Sequence, residues 1–219
     1  MKIKAILFDL DGTLLNTLDD IADSANYSLT RLGFPTHDID AYRYFVGSGV
    51  DNLVRGILPE DARTPLNLSA IKPIYSERYA AHSLDKTRPY DGVLDMLREL
   101  GKLPVKLAVV SNKPDSDAKL AISHFFGDGV FGVVAGGKSG VPLKPNPAIV
   151  NNILGDFGLD PRETMFAGDT GVDLATAKNA RCVSIGVLWG FRPKEVAADG
   201  ADYVINSPSE LPVLASNRV

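Results

Sequence analysis

The segment ILFDLDGTLLN, residues 6–16, places two carboxylates, Asp9 and Asp11, directly after a short apolar run. Because side chains alternate between the faces of a strand, both acids point to one side if the strand persists that far, with Leu10 on the other. Gly12 then permits a sharp turn. Ligands of α/β folds bind at the carboxyl ends of parallel strands, so the two acids are candidates for chemistry. The alternative is that both are solvated loop aspartates.

Further short apolar runs along the chain favour β-strands. They are continuously apolar rather than alternating, which is typical of strands covered on both faces. Residues 93–100 and 149–157 carry apolar side chains at helical spacing between these runs. Strands that alternate with helices indicate an α/β fold with a Rossmann-like parallel sheet and helices on both faces. The runs are Ile3–Phe8, Lys106–Val110, Val130–Ala135, Thr164–Ala167, Cys182–Val187 and, more weakly, Tyr203–Asn206.

The interval between the first two strands is far longer than their connection requires. A crossover between parallel strands needs about a dozen residues, and a helix near residues 91–101 supplies it. The residues beyond this requirement, 16–85, show apolar positions at helical spacing and no clear strand pattern. We therefore predict an α/β core domain at residues 1–15 and 86–219, with an inserted small α-helical cap domain at residues 16–85.

Composition narrows the possible partners. A net charge of -4 and a pI of about 5.4 argue against a nucleic-acid or anionic-membrane surface, although a small anionic substrate remains compatible. The single cysteine, Cys182, excludes an intrachain disulfide. The first apolar run is too short for a signal sequence, and none approaches the about 18 apolar residues of a membrane span. We expect a cytoplasmic protein with no nucleic-acid or membrane partner.

Three later segments place polar side chains where strands end. Ser111 follows the second strand, where a hydroxyl can meet an anion, although serine is also common at helix starts. Lys144 lies between prolines, where a fixed ammonium can neutralise phosphate, although most single lysines are surface residues. Asp169 follows the fourth strand, and Asp173 lies one helical turn later. This last pair could equally be a helix cap and a favourable first-turn acid.

These residues would converge on one edge of one sheet, and together they favour a catalytic site. Carboxylate oxygens are hard ligands that select Mg²⁺ over soft metals. The three histidines, His37, His82 and His124, are too scattered to form a zinc site. The chain also lacks the GxxxxGK[ST] loop of many nucleotide-triphosphate enzymes.

With these residues in this order, the chain resembles members of the haloacid dehalogenase superfamily, in its phosphatase branch, over nearly its whole length. FDLDGTLLNT at residues 8–17 resembles the first motif of that family, Ser111 the second, Lys144 the third, and GDTGVD at residues 168–173 the fourth. The insert resembles the cap of the family. VGSGVDNLVRG at 46–56 and SIGVLWGF at 184–191 look most like the phosphoglycolate phosphatase group.

The resemblance implies a role for each matched residue. Asp9 would be the nucleophile that forms an aspartyl-phosphate, and Asp11 the general acid and later the base that activates water. Lys144 would orient Asp9 and offset charge. Ser111 and Asn112 would contact the phosphoryl oxygens.

The resemblance also implies a Mg²⁺ cofactor. The ion would be held by Asp9, the backbone carbonyl of Asp11 and Asp169, with Asp173 in support. For the substrate, a small phosphorylated metabolite, the candidate contacts in the cap are Gly47, Ser48 and Gly49, with Arg43 and Arg55 as possible anion partners nearby. We expect a monomer or a homodimer.

Three alternatives remain open at this stage. A phosphomutase of the β-phosphoglucomutase type resembles the chain in core and cap, but returns the phosphoryl group to a sugar. Phosphonoacetaldehyde hydrolysis needs a cap lysine that forms a Schiff base, and Lys72 is the only one, with Lys86 at the hinge. A non-catalytic regulatory or binding module is the third alternative, although every catalytic position is filled.

Overall fold

A six-stranded parallel sheet forms the centre of the computed structural model, which describes residues 2–218. The strands in chain order are β1 (Ala5–Phe8), β2 (Leu15–Asn16), β3 (Arg88–Pro89), β4 (Lys106–Pro114), β5 (Val133–Gly137), β6 (Thr164–Gly168), β7 (Val183–Val187) and β8 (Tyr203–Ile205). The sheet order is β5-β4-β1-β6-β7-β8, with every neighbouring pair parallel. The predicted parallel α/β architecture is confirmed. Because the chain crosses from β5 to the far side of β1, a crevice forms at the carboxyl ends of the central strands.

Residues 2–218 contain ten α-helices. They are α1 (Leu18–Arg31), α2 (Tyr42–Phe45), α3 (Val50–Ile57), α4 (Pro65–His82), α5 (Val93–Leu100), α6 (Asp115–Phe126), α7 (Ala148–Phe157), α8 (Gly171–Ala180), α9 (Pro193–Ala198) and α10 (Glu210–Ser216). Helices α1 to α4 lie in the segment between β1 and α5. Short 3-10 helices cover Ile39–Ala41, Glu60–Ala62 and Pro161–Glu163. None of the helices within residues 2–218 has the length and apolar character that a membrane crossing requires.

Both faces of the sheet are buried, as the continuous apolar runs predict. Along β1, Ile6 and Phe8 join a hydrophobic cluster that includes residues of α5, α6 and α10. Ala5 and Leu7 point the other way, into a cluster that includes residues of α7 and α8. This alternation is the ordinary geometry of a strand between two helical layers.

The segment between β1 and α5 is mostly helical, as the sequence predicts, with the short strands β2 and β3 near its two ends. Helices α1 to α4 share a third hydrophobic cluster, which Phe191 joins from the far end of the chain. At its base, β2 and β3 pair antiparallel, which brings the entry and exit of the segment together. The division into a core at residues 1–15 and 86–219 and a cap at 16–85 stays a prediction. We call residues 16–85 the helical insert.

The largest differences between the strands and the apolar runs lie in β4 and β5. Strand β4 continues past Val110 through a polar stretch to Pro114, which pairs with Gly137 after a shift in register. Strand β5 accordingly begins later, at Val133. A Cβ on Gly136 would lie 2.5 Å from the backbone of Asp115, so only glycine permits this close pairing. Hydrophobicity does not reveal a strand extension made of polar residues and glycine.

Candidate active site

The predicted site residues meet at the carboxyl edge of the sheet. Asp9 directly follows β1, and Asp169 directly follows β6. Asp173 lies in the first turn of α8, and Lys144 lies in the loop between β5 and α7. Ser111 lies in the polar end of β4. All five of these residues are buried, so their polar groups face one another rather than bulk water.

Lys144 connects two of the buried acids. Its Nζ lies 2.7 Å from Asp9 Oδ1 and 2.7 Å from Asp173 Oδ1. Burial opposes the charged ammonium, but Asp173 and Asp9 outweigh that penalty and raise the pKa of Lys144 above its ordinary value. The lysine therefore remains a cation inside the site.

Asn112 positions this lysine through its side chain. Its Oδ1 accepts from the Lys144 backbone N–H at 2.8 Å, and its Nδ2 donates to the Lys144 carbonyl at 3.0 Å and to the Gly47 carbonyl at 2.9 Å. These bonds occupy the amide, so the predicted phosphoryl contact would have to come from the backbone of Asn112. The Ser111 hydroxyl accepts from the Lys113 N–H at 3.2 Å, which leaves its own hydrogen for an anion.

Asp169 is held in place by the backbone around it. Its Oδ2 accepts from the Phe191 N–H at 2.7 Å, and its Oδ1 accepts from the Thr13 hydroxyl at 3.3 Å. Two glycines allow this approach: a Cβ on Gly12 would lie 2.1 Å from Asp169 Oδ2, and one on Gly190 would lie 2.2 Å from Asp169 Cβ. The sequence reasoning did not assign roles to Thr13, Phe191 or Gly190, which contact the acid from distant segments.

Three of the acids form a cluster that fits a divalent cation. Asp9, Asp169 and Asp173 each offer an oxygen, and these atoms lie within 4.8 Å of one another. Burial and the neighbouring Asp173 raise the pKa of Asp9 to about 7, and the same two causes raise that of Asp169 well above its usual range. Crowded, buried carboxylates of this kind are stabilised by a bound cation, and oxygen donors suit a hard ion.

The charge balance of the site supports the same fit. With all four carboxylates ionised (Asp9, Asp11, Asp169 and Asp173), the two ammonium groups that they face (Lys113 and Lys144) would leave two negative charges. One divalent cation would neutralise them. The side chain of Asp11 is not part of the three-acid cluster.

Lys113 is a site residue that sequence reasoning missed. Its Nζ lies 2.9 Å from Asp11 Oδ1 and 3.2 Å from Asp11 Oδ2, and it donates to the Tyr79 hydroxyl of α4 at 2.6 Å. Burial opposes its charge, but Asp11 and Tyr79 more than compensate and raise the pKa of Lys113. The available signal is its position beside Ser111 and Asn112, although a lysine after a strand is ordinarily exposed.

A small cavity joins these residues to the helical insert. Its wall includes Asp9, Ser111 and Lys113 on one side and Gly47 and Gly49 on the other. The space open to the centre of a water molecule is about 50 Å³, which suits a small ligand. The wall also includes Asp11, Ile21, Val46, Val50, Leu53, Tyr75, Tyr79, Asn112, Pro114 and Asp117.

Three of the substrate contacts predicted in the cap do not line this cavity. Ser48 lines a neighbouring surface groove rather than the cavity. Arg43 pairs with Asp40 near the surface, and Arg55 is exposed on α3. Neither arginine lines the cavity.

The lysine required for a Schiff base also lies away from the cavity. Lys72 pairs with Asp51 at 2.5 Å, and its side chain is 49% exposed. It does not line the cavity that holds Asp9. This placement gives the phosphonoacetaldehyde alternative no support.

Fold and site together define an α/β enzyme that works at the carboxyl edge of a parallel sheet, with buried carboxylates fit for a divalent cation. The profile of the haloacid dehalogenase-like hydrolases matches residues 6–187. The chain therefore belongs to the haloacid dehalogenase-like hydrolase family. It is a hydrolase of the phosphatase branch.

Curated relatives share its full length. A phosphoglycolate phosphatase of Chromobacterium violaceum is 33% identical, with 98% of this chain and 97% of the relative covered. One from Mannheimia succiniciproducens is 31% identical, with 96% and 97% covered.

Solved structures agree with the fold. A Lactobacillus delbrueckii protein, provisionally described as a phosphoglycolate phosphatase, has a TM-score of 0.91 and 30% identity, with 98% of this chain and 99% of that chain covered. CbbY from Rhodobacter sphaeroides, in complex with phosphate, has a TM-score of 0.80 and 26% identity, with 95% and 96% covered. The resemblance to this family, read from the four motifs, is confirmed.

Proposed function

We propose that this protein is a Mg²⁺-dependent phosphatase that hydrolyses a small phosphate monoester through an aspartyl-phosphate on Asp9, with phosphoglycolate as the favoured substrate. The observation that carries the proposal is the setting of Asp9. Lys144 binds its Oδ1, whereas no hydrogen bond from residues 2–218 reaches its Oδ2, and the residue lines the cavity. An oriented carboxylate with one free oxygen beside a cation is suited to attack phosphorus. The choice of phosphoglycolate is supported by the names of the relatives.

In the first step, Asp9 Oδ2 attacks phosphorus. The new bond forms between that oxygen and phosphorus as the ester P–O bond breaks, and Asp11 gives a proton to the leaving oxygen. Lys144 and the Ser111 hydroxyl stabilise charge on Asp9 and on the phosphoryl oxygens. A Mg²⁺ ion held by Asp9, Asp169 and the Asp11 carbonyl, with Asp173 in support, would supply further charge neutralisation to the phosphoryl group.

In the second step, water hydrolyses the aspartyl-phosphate. Asp11, now a carboxylate, takes a proton from the water as its oxygen attacks phosphorus. The bond between phosphorus and the Asp9 oxygen breaks, so that phosphate leaves and the Asp9 carboxylate returns. Burial of the site between the sheet and the helical insert restricts the water that can reach it.

A panel of phosphomonoesters tests the proposal. With Mg²⁺ we expect turnover of at least one small monoester, and loss of turnover when a chelator removes the ion. The substitution Asp9→Asn should abolish turnover, whereas the control Asp156→Asn, at an exposed acid of α7, should leave it unchanged. Folded protein that turns over none of the panel, or an active Asp9→Asn variant, would contradict the proposal.

The panel also separates hydrolysis from phosphoryl return to a sugar. Glucose phosphates are included, and the products are analysed for free phosphate and for rearranged sugar phosphate. Free phosphate is the expected product. A cytoplasmic location and the state of assembly, monomer or homodimer, stay predictions.

A further inference from the structure

The wall of the cavity combines two kinds of chemistry. Asp9 and Ser111, with Lys144 bound to Asp9 behind the wall, supply the charge and hydrogen bonds that a phosphoryl group needs. Much of the remaining wall is apolar and includes Ile21 and Leu53. Two polar groups of the wall are not used by the reaction described above. They are the Lys113 ammonium and the Tyr79 hydroxyl.

Lys113 is the only cation among the described residues that line this cavity. Its side chain is 4% exposed, and its Nζ lies 4.7 Å from the centre of the Tyr79 ring. A lysine is almost never buried to this extent without a strong partner. Asp11 is such a partner, yet Lys113 also lines the cavity, where a ligand can reach it.

The Tyr79 hydroxyl has an unused hydrogen. Its oxygen accepts from Lys113 Nζ at 2.6 Å, so its own hydrogen remains available for another acceptor. No acceptor for it is found within residues 2–218, although the side chain is buried and lines the cavity. An ammonium and a free hydroxyl hydrogen side by side form a donor pair that suits a carboxylate.

The distances set where this carboxylate would be attached. Asp11 must contact the ester oxygen of the substrate to protonate it, and Lys113 Nζ lies 2.9 Å from Asp11. A carboxylate bonded to the first carbon after the ester oxygen lies about 3 Å from that oxygen, within hydrogen-bond reach of Lys113. A substrate with a longer chain would carry its carboxylate past this donor pair.

We propose that Lys113 and the Tyr79 hydroxyl bind the carboxylate of the substrate, and so select phosphate esters of short 2-hydroxy acids over neutral phosphomonoesters. This inference rests on the proposed phosphatase function and extends it to the leaving group. A substrate carboxylate would enter a cavity that already holds Asp9, Asp11 and Asp117. Lys113 offsets that repulsion, and it exchanges part of its contact with Asp11 for the substrate.

The test compares phosphoglycolate with 2-hydroxyethyl phosphate, in which a neutral hydroxymethyl group replaces the carboxylate. The substitution Lys113→Met keeps the length of the side chain and removes its charge. It should lower kcat/KM for phosphoglycolate about 10-fold to 100-fold more than for 2-hydroxyethyl phosphate. Tyr79→Phe should reduce the same preference by about 3-fold to 10-fold. The control Lys138→Met, whose lysine is 57% exposed, should leave the preference unchanged.

Equal losses on both compounds would overturn the proposal, because Lys113 would then serve Asp11 alone. A wild-type enzyme that hydrolyses both compounds without preference would overturn it too, while the phosphatase function would stand. If folded wild-type protein turned over neither compound, the proposed function would fail. Calorimetric titration of both compounds into Asp9→Asn protein would then test the carboxylate site by binding alone. Tighter binding of phosphoglycolate that is lost when Lys113→Met is added to Asp9→Asn supports the site. Equal affinities for the two compounds overturn it.

Discussion

Lys144 illustrates at the residue scale how one side chain holds the site together. Its ammonium lies 2.7 Å from an oxygen of Asp9 and 2.7 Å from an oxygen of Asp173. Asp173 is held in turn by the Thr170 N–H at 3.1 Å and the Thr170 hydroxyl at 2.9 Å, in a capping box that begins α8. The start of the helix and the orientation of the Lys144 ammonium therefore depend on one carboxylate.

The substitution Lys144→Met should destabilise the protein as well as inactivate it. Removing one partner of a buried ion pair leaves an uncompensated charge, which costs about 3–5 kcal/mol. We expect the free energy of unfolding in urea to fall by about 3 kcal/mol without divalent ions. Saturating Mg²⁺ should restore part of the lost free energy of unfolding, because the bound cation replaces the lost positive charge. The control Lys178→Met, at an exposed lysine of α8, should change the free energy of unfolding by about 0.5 kcal/mol or less. An unchanged unfolding curve for Lys144→Met would contradict this role.

At the scale of elements, the loop after β7 joins the helical insert to the sheet. It carries Phe191, whose N–H binds Asp169 and whose ring packs among the insert helices. Arg192 then donates to the carbonyls of Arg43 at 2.9 Å and Val46 at 2.6 Å. These carbonyls lie at and beside the C-terminal end of α2, where helices leave acceptors unpaired. The acid cluster and the loop that carries Gly47 are thus connected through consecutive residues.

Asp20 joins the two connections of the insert. Its buried carboxylate accepts from the Lys86 N–H at 3.0 Å, from the Thr87 N–H at 2.8 Å and from the Thr87 hydroxyl at 2.7 Å. It therefore holds the start of α1 against the segment that returns to the sheet. The residue is distant in sequence from the groups it binds, so no local pattern indicates this role.

The substitution Asp20→Asn should weaken this junction. An amide has only one acceptor oxygen, so its NH2 group would replace a carboxylate oxygen and face either the Lys86 N–H at 3.0 Å or the Thr87 N–H at 2.8 Å as a second donor. The loss of this charge-assisted contact should cost about 1–3 kcal/mol. We expect a lower free energy of unfolding in urea and faster hydrogen exchange at Lys86 and Thr87. Asp19→Asn is a matched control, because its side chain is only half-buried. Equal stability of the two variants would contradict the junction.

For the whole molecule, the sheet and most residues of the candidate site are predictable from the sequence. Continuous apolar runs indicate buried strands, and Asp9 and Asp169 directly follow two of them. The contacts of Lys113 and of the Asn112 side chain cannot be predicted in this way, because their partners lie in other segments. Lys113 contacts Asp11 and Tyr79, which are 102 and 34 positions away. Such contacts depend on how the helical insert packs over the sheet, and single-sequence patterns do not encode that packing.

The central claim is that Asp9, rather than Asp11, carries the phosphoryl group. Borohydride reduces an acyl phosphate to an alcohol, so it would convert a phosphorylated aspartate to homoserine. Protein quenched in acid during turnover, then reduced and digested, can be read by peptide mass spectrometry. We predict homoserine at position 9, only when both substrate and Mg²⁺ are present, and unmodified Asp11. Homoserine at position 11, or unmodified Asp9 in enzyme trapped during steady turnover, would contradict the proposed mechanism.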